Sequence, residues 1–309
     1  MQEQTVEQTQ ALNAVARTRV LGMHFFGHFL GIGTASRVDG ATRIRLDPPP
    51  LTAPECSGSP TALATLADLA LSAAVRHEVG PHHRLGTVTL GMHLMAPCPV
   101  GTVTALAHPV WVDTTDGHGH ARCELRDDDG GLVGTAQGWF AVLPVPDGTR
   151  MPPALWEGEQ APPVPELSPA ELSAVEQTVV RAGEAALERA RERGTLPGEE
   201  LLALGWSDPA GADRVRGSAS VGPELANRVR HVQGGATYGA AVAAAARAAG
   251  PGMRLADGHL QYLKPADGAA LSVEARVLRR GRRAVFTEVE LSVDGRQVAS
   301  GQFAFRPAR

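Results

Sequence analysis

Two stretches of this sequence carry residues suited to chemistry, and they lie far apart in the chain. The first, HVQGGATYGAAVAAAARAAG from His231 to Gly250, opens a helix on the pair Gly234-Gly235 and then runs almost purely in alanine. Past its opening residues this helix has no acid, thiol or hydroxyl. Its backbone can bind a ligand but cannot easily move a proton alone. The second, TALATLADLALSAAVRHEVG from Thr61 to Gly80, sets one carboxylate, Asp68, inside an otherwise apolar helix. An unpaired buried charge is costly, so Asp68 is the stronger candidate for a working residue. Histidines at 24 and 28, in HEVGPHH (77–83) and in DGHGH (116–120) invite a metal reading. None has HExxH or another clear ligand spacing, so no metal site is expected, and His118 and His120 read as part of a surface turn.

The elements around these residues repeat. TALATLADLALSAAVRHEVG is followed by TVTLGMHLMAPCPVG, long alternating stretches, a turn at RDDDGG and LVGTAQGWFAVLP. GATYGAAVAAAARAAG is followed by LADGHLQYLKPADG, long alternating stretches, a turn at VDGR and QVASGQFAFRP. Pro97 then matches Pro265, Gly101 matches Gly268, Gly130 matches Gly295 and Gln137 matches Gln302. This is the pattern of a duplicated α+β unit. A helix over Glu3–Val20 leads the first copy, and one from about Ala170 to Arg193, with an N-cap signal at Ser168-Pro169, leads the second. A hairpin-like pair around Asp39-Gly40 (28–49) and a strand over 213–222 precede the two apolar helices. Residues 146–167 are rich in proline and read as a linker, dividing the chain into units 1–145 and 168–309. Helices apolar on most sides are buried on most sides, so each sheet is expected to wrap around its own helix.

Composition narrows the function classes. Lys and Arg number 29 against 33 Asp and Glu, a net charge of −4, and the basic residues are scattered apart from RVLRRGRRAVF (276–286). That leaves no global footprint for nucleic acid. The N-terminal MQEQTVEQTQ lacks the order of a signal peptide, and no apolar run reaches the roughly 18 residues that span a bilayer. Cys56, Cys98 and Cys123 form neither an even set nor a CxxC pair, which fits a reduced, cytoplasmic setting.

The glycine pair opening a buried helix, TLAD within a buried helix and strand ends at Pro97 and Pro265 together resemble the hotdog fold. More narrowly, they resemble the PaaI-like and TesB-like acyl-CoA thioesterases, and the likeness extends over both copies. The resemblance implies two tandem hotdog units, each an antiparallel sheet wrapped around a central apolar helix, with sites between units and a coenzyme A thioester as substrate. It implies no metal and no further cofactor, and it allows a homo-oligomer of such chains paired through their sheets. Carried over residue by residue, the family's H-G-G element falls on Gln233-Gly234-Gly235, with Asn227 where many PaaI-like members have Asn. Its helix carboxylate falls on Asp68, its strand hydroxyl on Thr87, and the TesB-like glutamine on Gln137. The same registers in the opposite copies give Ser59-Pro60-Thr61, Val242, Leu255 and Gln302. Proline has no N–H to donate and valine cannot ionise. One site is therefore expected to combine Asp68, Thr87 and Gln137 with Asn227, Gly234 and Gly235, and the other to be inactive.

In such a site backbone N–H groups at a helix N-terminus face the charge that develops on the thioester oxygen. Asp68 acts either as general base on water or as a nucleophile. Gln233, Lys264 and the cluster Arg279, Arg280, Arg282 and Arg283 are the expected substrate contacts, the basic ones through coenzyme A phosphates. Two rivals remain. A non-catalytic acyl-CoA binding or sensing protein needs no base, and a hotdog hydratase needs an Asp-x4-His pair, where no Asp here is followed at that spacing by a His in a suitable helix-entry loop.

Overall fold

A computed structural model of the chain describes residues 5–21, 24–47, 59–95, 101–145, 151 and 163–308. Pro97, Cys56, Cys98 and most of the linker lie outside the described residues. The fold is α+β, as expected: six helices and one antiparallel sheet of twelve strands in the described residues. Two helices dominate. Helix α3 (Pro60–Val79) starts where Ser59 Oγ accepts from Ala62 N at 3.1 Å, with Pro60 in the first turn, and stops at Gly80, whose φ is 74°. Helix α6 (Gly234–Ala249) starts where Gln233 Oε1 accepts from Ala236 N at 2.9 Å and stops at Gly250, φ 94°. Left-handed backbone is easily reached only by glycine, which is why both helices end there.

The strands are β1 (Ser36–Val38), β2 (Ala41–Leu46), β3 (His83–Leu94), β4 (Val103–Asp113), β5 (His118–Arg126), β6 (Leu132–Pro144), β7 (Gly205–Trp206), β8 (Arg214–Ser220), β9 (Met253–Tyr262), β10 (Ala270–Arg280), β11 (Val285–Val293) and β12 (Arg296–Pro307). Their order across the sheet is β1-β2-β4-β5-β6-β3-β9-β12-β11-β10-β8-β7. The first six strands thus fill one half and the last six the other, joined only where β3 pairs with β9 around Gly91↔His259. Helix α3 packs on β2 to β6, α6 packs on β8 to β12, and the two helices lie against each other. Over them sit α1 (Val6–Leu21) against α4 (Ala174–Arg193), with the short helices α2 (Phe25–Phe29) and α5 (Pro197–Leu202) beside them. The core runs through both halves, with Leu66, Ala70, Leu90, Ala241, Ala245 and Leu260 wholly inaccessible.

Small residues set the distance between α3 and α6. A Cβ built on Gly235 would stand 2.5 Å from Thr65 Cα, which is backbone and cannot swing away. Gly235→Ala is therefore expected to force the helices apart at a cost of about 1–3 kcal/mol, read as a lower thermal midpoint.

Three local expectations are corrected. Ser168-Pro169 heads a separate 3-10 turn, Pro169–Glu171, and α4 begins at Ala174 under its own capping box from Ser173 and Glu176. Of the 28–49 stretch only 36–46 forms the hairpin, because Phe25, Phe26 and Phe29 bury themselves as a short helix instead. His118 and His120 belong to β5 rather than the preceding turn, and His118 Nδ1 accepts from Trp139 Nε1 at 3.2 Å.

Candidate active site

Asp68 projects from α3 toward the start of α6 and is 5% exposed. Thr87 Oγ1, from β3, donates to its Oδ1 at 3.0 Å. Gln233 Nε2 donates to its Oδ2 at 3.2 Å. The amide of Gln233 cannot flip without cost, because its Oε1 is held by Ala236 N as the cap of α6. A Cβ on Gly234 would lie 2.7 Å from Asp68 Oδ2, so the carboxylate sits directly on the helix's first residue. Ala236 N and Thr237 N are taken by Gln233. The N–H groups of Gly234 and Gly235, at the very start of the helix, have no acceptor among the described residues. Tyr262, the last residue of β9, donates its hydroxyl to Gly234 O at 2.8 Å.

Burial pushes the Asp68 carboxyl up from 3.8 to about 6, against the Thr87 hydrogen bond that favours the charge. Near neutral pH it is mostly ionised yet remains a competent proton acceptor. Tyr262 is held neutral, its pKa raised by burial and then by the charge of Asp68.

A cavity of about 480 Å³ opens at this point, with walls from both halves of the sheet. Along α3 it is lined by Asp68, Leu69, Ser72, Ala73 and Arg76; from the second half come residues 227–229, 231–234 and 262–266. Arg76, Arg84, Arg228 and Lys264 all line it, and among the lining residues Asp68 is the only acid. Burial, and then the neighbouring Arg228, lower Arg76 to about 10. The cavity thus offers one desolvated carboxylate within a cationic wall.

Of the residues singled out in the sequence, Asp68, Thr87, Gln233, Gly234 and Gly235 meet at α6's N-terminus, and Lys264 lines the cavity. Asn227 also lines it, but its Oδ1 is spent on Val229 N (3.0 Å) and His231 N (3.1 Å), shaping the turn that delivers Gln233. Gln137 does not reach the site. Ala136, Gly138 and Phe140 take the inward positions of β6, so Gln137 faces the exposed side of the sheet beside Gly91; Gln302 is exposed likewise. Arg279, Arg280, Arg282 and Arg283 are corrected too. They lie at the far end of α6, where Arg280 donates to Ala248 O and Ala249 O, and none lines the cavity. A 16-residue helix separates its two ends by about 24 Å.

Reading the sequence missed Tyr262 and the isolated arginines 76, 84 and 228. Nothing in their local spacing distinguishes them, because their meeting is a product of the tertiary fold.

The opposite register is apolar. Val242 and Leu255 are buried, Pro60 occupies the first turn of α3, and α5 packs over this region with Leu201 and Leu202 inaccessible. Gly239 there contacts both Thr61 and Leu202 closely enough to leave no room for a methyl group.

Residues 223–306, which run from just before the Gly-Gly turn almost to the end of β12, match the family described as the acyl-CoA thioesterase N-terminal domain. The tesB protein of Mycobacterium avium subsp. paratuberculosis superposes over 94% of this chain and 100% of its own, with a TM-score of 0.54 at 13% identity. A conserved protein of unknown function with a hot dog fold from Alicyclobacillus acidocaldarius superposes over 93% and 98%, with a TM-score of 0.53 at 14% identity. The chain has the hotdog fold. None of the curated proteins matches it in sequence. The matched residues of this hotdog chain include Gly234, Gly235 and Tyr262, whereas Asp68 and Thr87 lie outside the match. No helix among the described residues is long and apolar enough to cross a membrane.

Proposed function

We propose that this chain hydrolyses acyl-CoA thioesters to the free acid and coenzyme A, at one site between two tandem hotdog units, residues 1–145 and 168–309. The observation that carries the reading is the meeting of Asp68, from one half, with Gln233 and Gly234 at the head of α6, from the other, where the N–H groups of Gly234 and Gly235 have no acceptor among the described residues. Each half supplies what the other lacks: a base on α3, and backbone donors on α6.

The thioester carbonyl oxygen points at the start of α6, where the helix's partial positive charge and two N–H groups stabilise the developing oxyanion. Asp68, held by Thr87 on one oxygen and Gln233 on the other, takes a proton from water as the water oxygen attacks the carbonyl carbon. Collapse of the tetrahedral intermediate breaks the carbon–sulfur bond. The thiolate leaves and takes up the proton, returning Asp68 to its ionised form. The groups lining the cavity suffice for this chemistry. Arg76, Arg84, Arg228 and Lys264 give the phosphates of coenzyme A a cationic wall. The register occupied by Pro60 and Val242 lacks the first of the two donors and the base, and contributes no second site.

Free-thiol release from a panel of short, long and aryl acyl-CoAs tests the reading. Turnover of at least one of them is expected. Binding of coenzyme A esters with no thiol released would identify a non-catalytic binding protein and end the claim of hydrolysis.

A further inference from the structure

Tyr262 stands in the cavity wall, and the mechanism above leaves it without a role. Its hydroxyl donates to Gly234 O at 2.8 Å. That oxygen and the N–H of Gly235 belong to one peptide unit, and a peptide unit is planar and trans. Anchoring the oxygen on one side of the plane therefore fixes the direction of the N–H on the other. Gly234 and Gly235 are the two residues of the chain's most permissive backbone, at a helix end where no earlier turn holds the peptide in place. A donor that must be aimed before the charge appears gains most from an external anchor at this point.

The sheet seam gives a second, independent observation. The two halves meet around the pair Gly91↔His259 in the register of β3 and β9. Three residues further along each strand stand Leu94 and Tyr262, so these occupy equivalent places in the two halves. Leu94 belongs to the half whose central helix opens on Pro60-Thr61, where the ring of Pro60 already fixes φ at the helix start. The hydroxyl occurs in the half whose helix opens on two glycines and is absent from the half whose helix opens on Pro60-Thr61.

We infer that Tyr262 is a positioning residue, which orients the Gly235 N–H toward the thioester oxyanion by holding the carbonyl of the same peptide. This rests on the thioesterase reading. The hydroxyl touches the backbone rather than the substrate, so its loss acts on the transition state and leaves ground-state binding alone.

The experiment compares wild type with Tyr262→Phe, using whichever acyl-CoA wild type turns over, together with the Kd of a non-hydrolysable thioether analogue of that ester. Removing an oxyanion donor outright typically costs 10²- to 10³-fold in kcat, and loosening one is expected to cost about 10-fold or more. The expected result is that loss in kcat with KM and the analogue's Kd unchanged. A kcat within about two-fold of wild type overturns the inference, and so does a rise in KM at constant kcat. If Tyr262→Phe melts early, site-specific 4-aminophenylalanine at 262, which restores an N–H donor on the ring, decides the matter. Recovery of kcat upholds the anchor, and no recovery in a folded variant overturns it. If wild type releases no thiol from any ester, it is the functional reading that fails first, and the two failures are distinct.

Discussion

Asp68→Asn is expected to lose thioester hydrolysis by about 10²- to 10⁴-fold and, at the same time, to melt at a higher temperature than wild type at pH 8. The two effects share one cause. Burial raises the folded pKa of Asp68 to about 6 from 3.8, so the folded state binds this proton more tightly than the unfolded chain does. Wild type therefore loses stability as pH rises from about 4 to about 6, and above that range carries a constant penalty. At 1.36 kcal/mol per unit, the penalty is on the order of 3 kcal/mol. Asparagine carries no charge to bury, and it fits the same partners: its oxygen accepts from Gln233, and its NH₂ donates to Thr87 Oγ1. Melting curves of both proteins at pH 4 and pH 8 check this. The stability gain is expected at pH 8 and should vanish near pH 4. In wild type, kcat/KM should rise with pH through about 6 as the carboxylate ionises. A flat profile across that range, or an asparagine variant of full activity, removes Asp68 from the mechanism.

Gly234→Ala is expected to abolish most of the activity, by about 10²- to 10³-fold in kcat, while leaving the fold intact. The added methyl group would stand 2.7 Å from Asp68 Oδ2. That oxygen is the end of a side chain, so the carboxylate can swing away and the clash relaxes at little cost to packing. What it loses is its place against the helix start, and with it the alignment of base, water and oxyanion. The neighbouring position behaves oppositely, since Gly235 faces the backbone of Thr65 and its substitution is felt mainly as lost stability. Measured together, kcat and thermal midpoint for the two alanine variants separate a methyl group that displaces the base from one that forces the helices apart, one residue on. Equal losses of stability at both positions would refute the division.

The two central helices and the half of the site built on Asp68 and the Gly-Gly pair were legible because their signals are local. Caps, glycine stops and unbroken apolar runs mark α3 and α6 directly, and Asp68 stands out as a charge in a buried face. Gln137 was misplaced for an identifiable reason. Gly134, Ala136 and Gly138 occupy inward positions of β6, and such small residues blur the period-two contrast that would have turned Gln137 outward. The arginine hairpin failed on direction. From the end of α6, β9 runs back along the helix to its start and β10 runs forward to its end. The β10–β11 hairpin must then lie by the C-terminus of α6, where Arg280 accordingly caps Ala248 and Ala249. Counting antiparallel strands would have revealed this. No count would have gathered Arg76, Arg84 and Arg228, because only the packed fold brings them to one cavity.

The seam between β3 and β9 has a consequence for how the two halves can change. When identical chains pair, any substitution appears in every copy at once, and a loss on one side of the interface is a loss on both. Here the partners are two stretches of one polypeptide, held edge to edge by the ladder around Gly91 and His259. A proline can replace a donor at the head of α3 while the glycines at the head of α6 stay untouched, and a valine can replace a carboxylate on α6 without disturbing Asp68. The covalent tie also fixes the local concentration of one half around the other. Turnover per molecule should then be indifferent to dilution of the protein, a property that a site shared between separable subunits does not have.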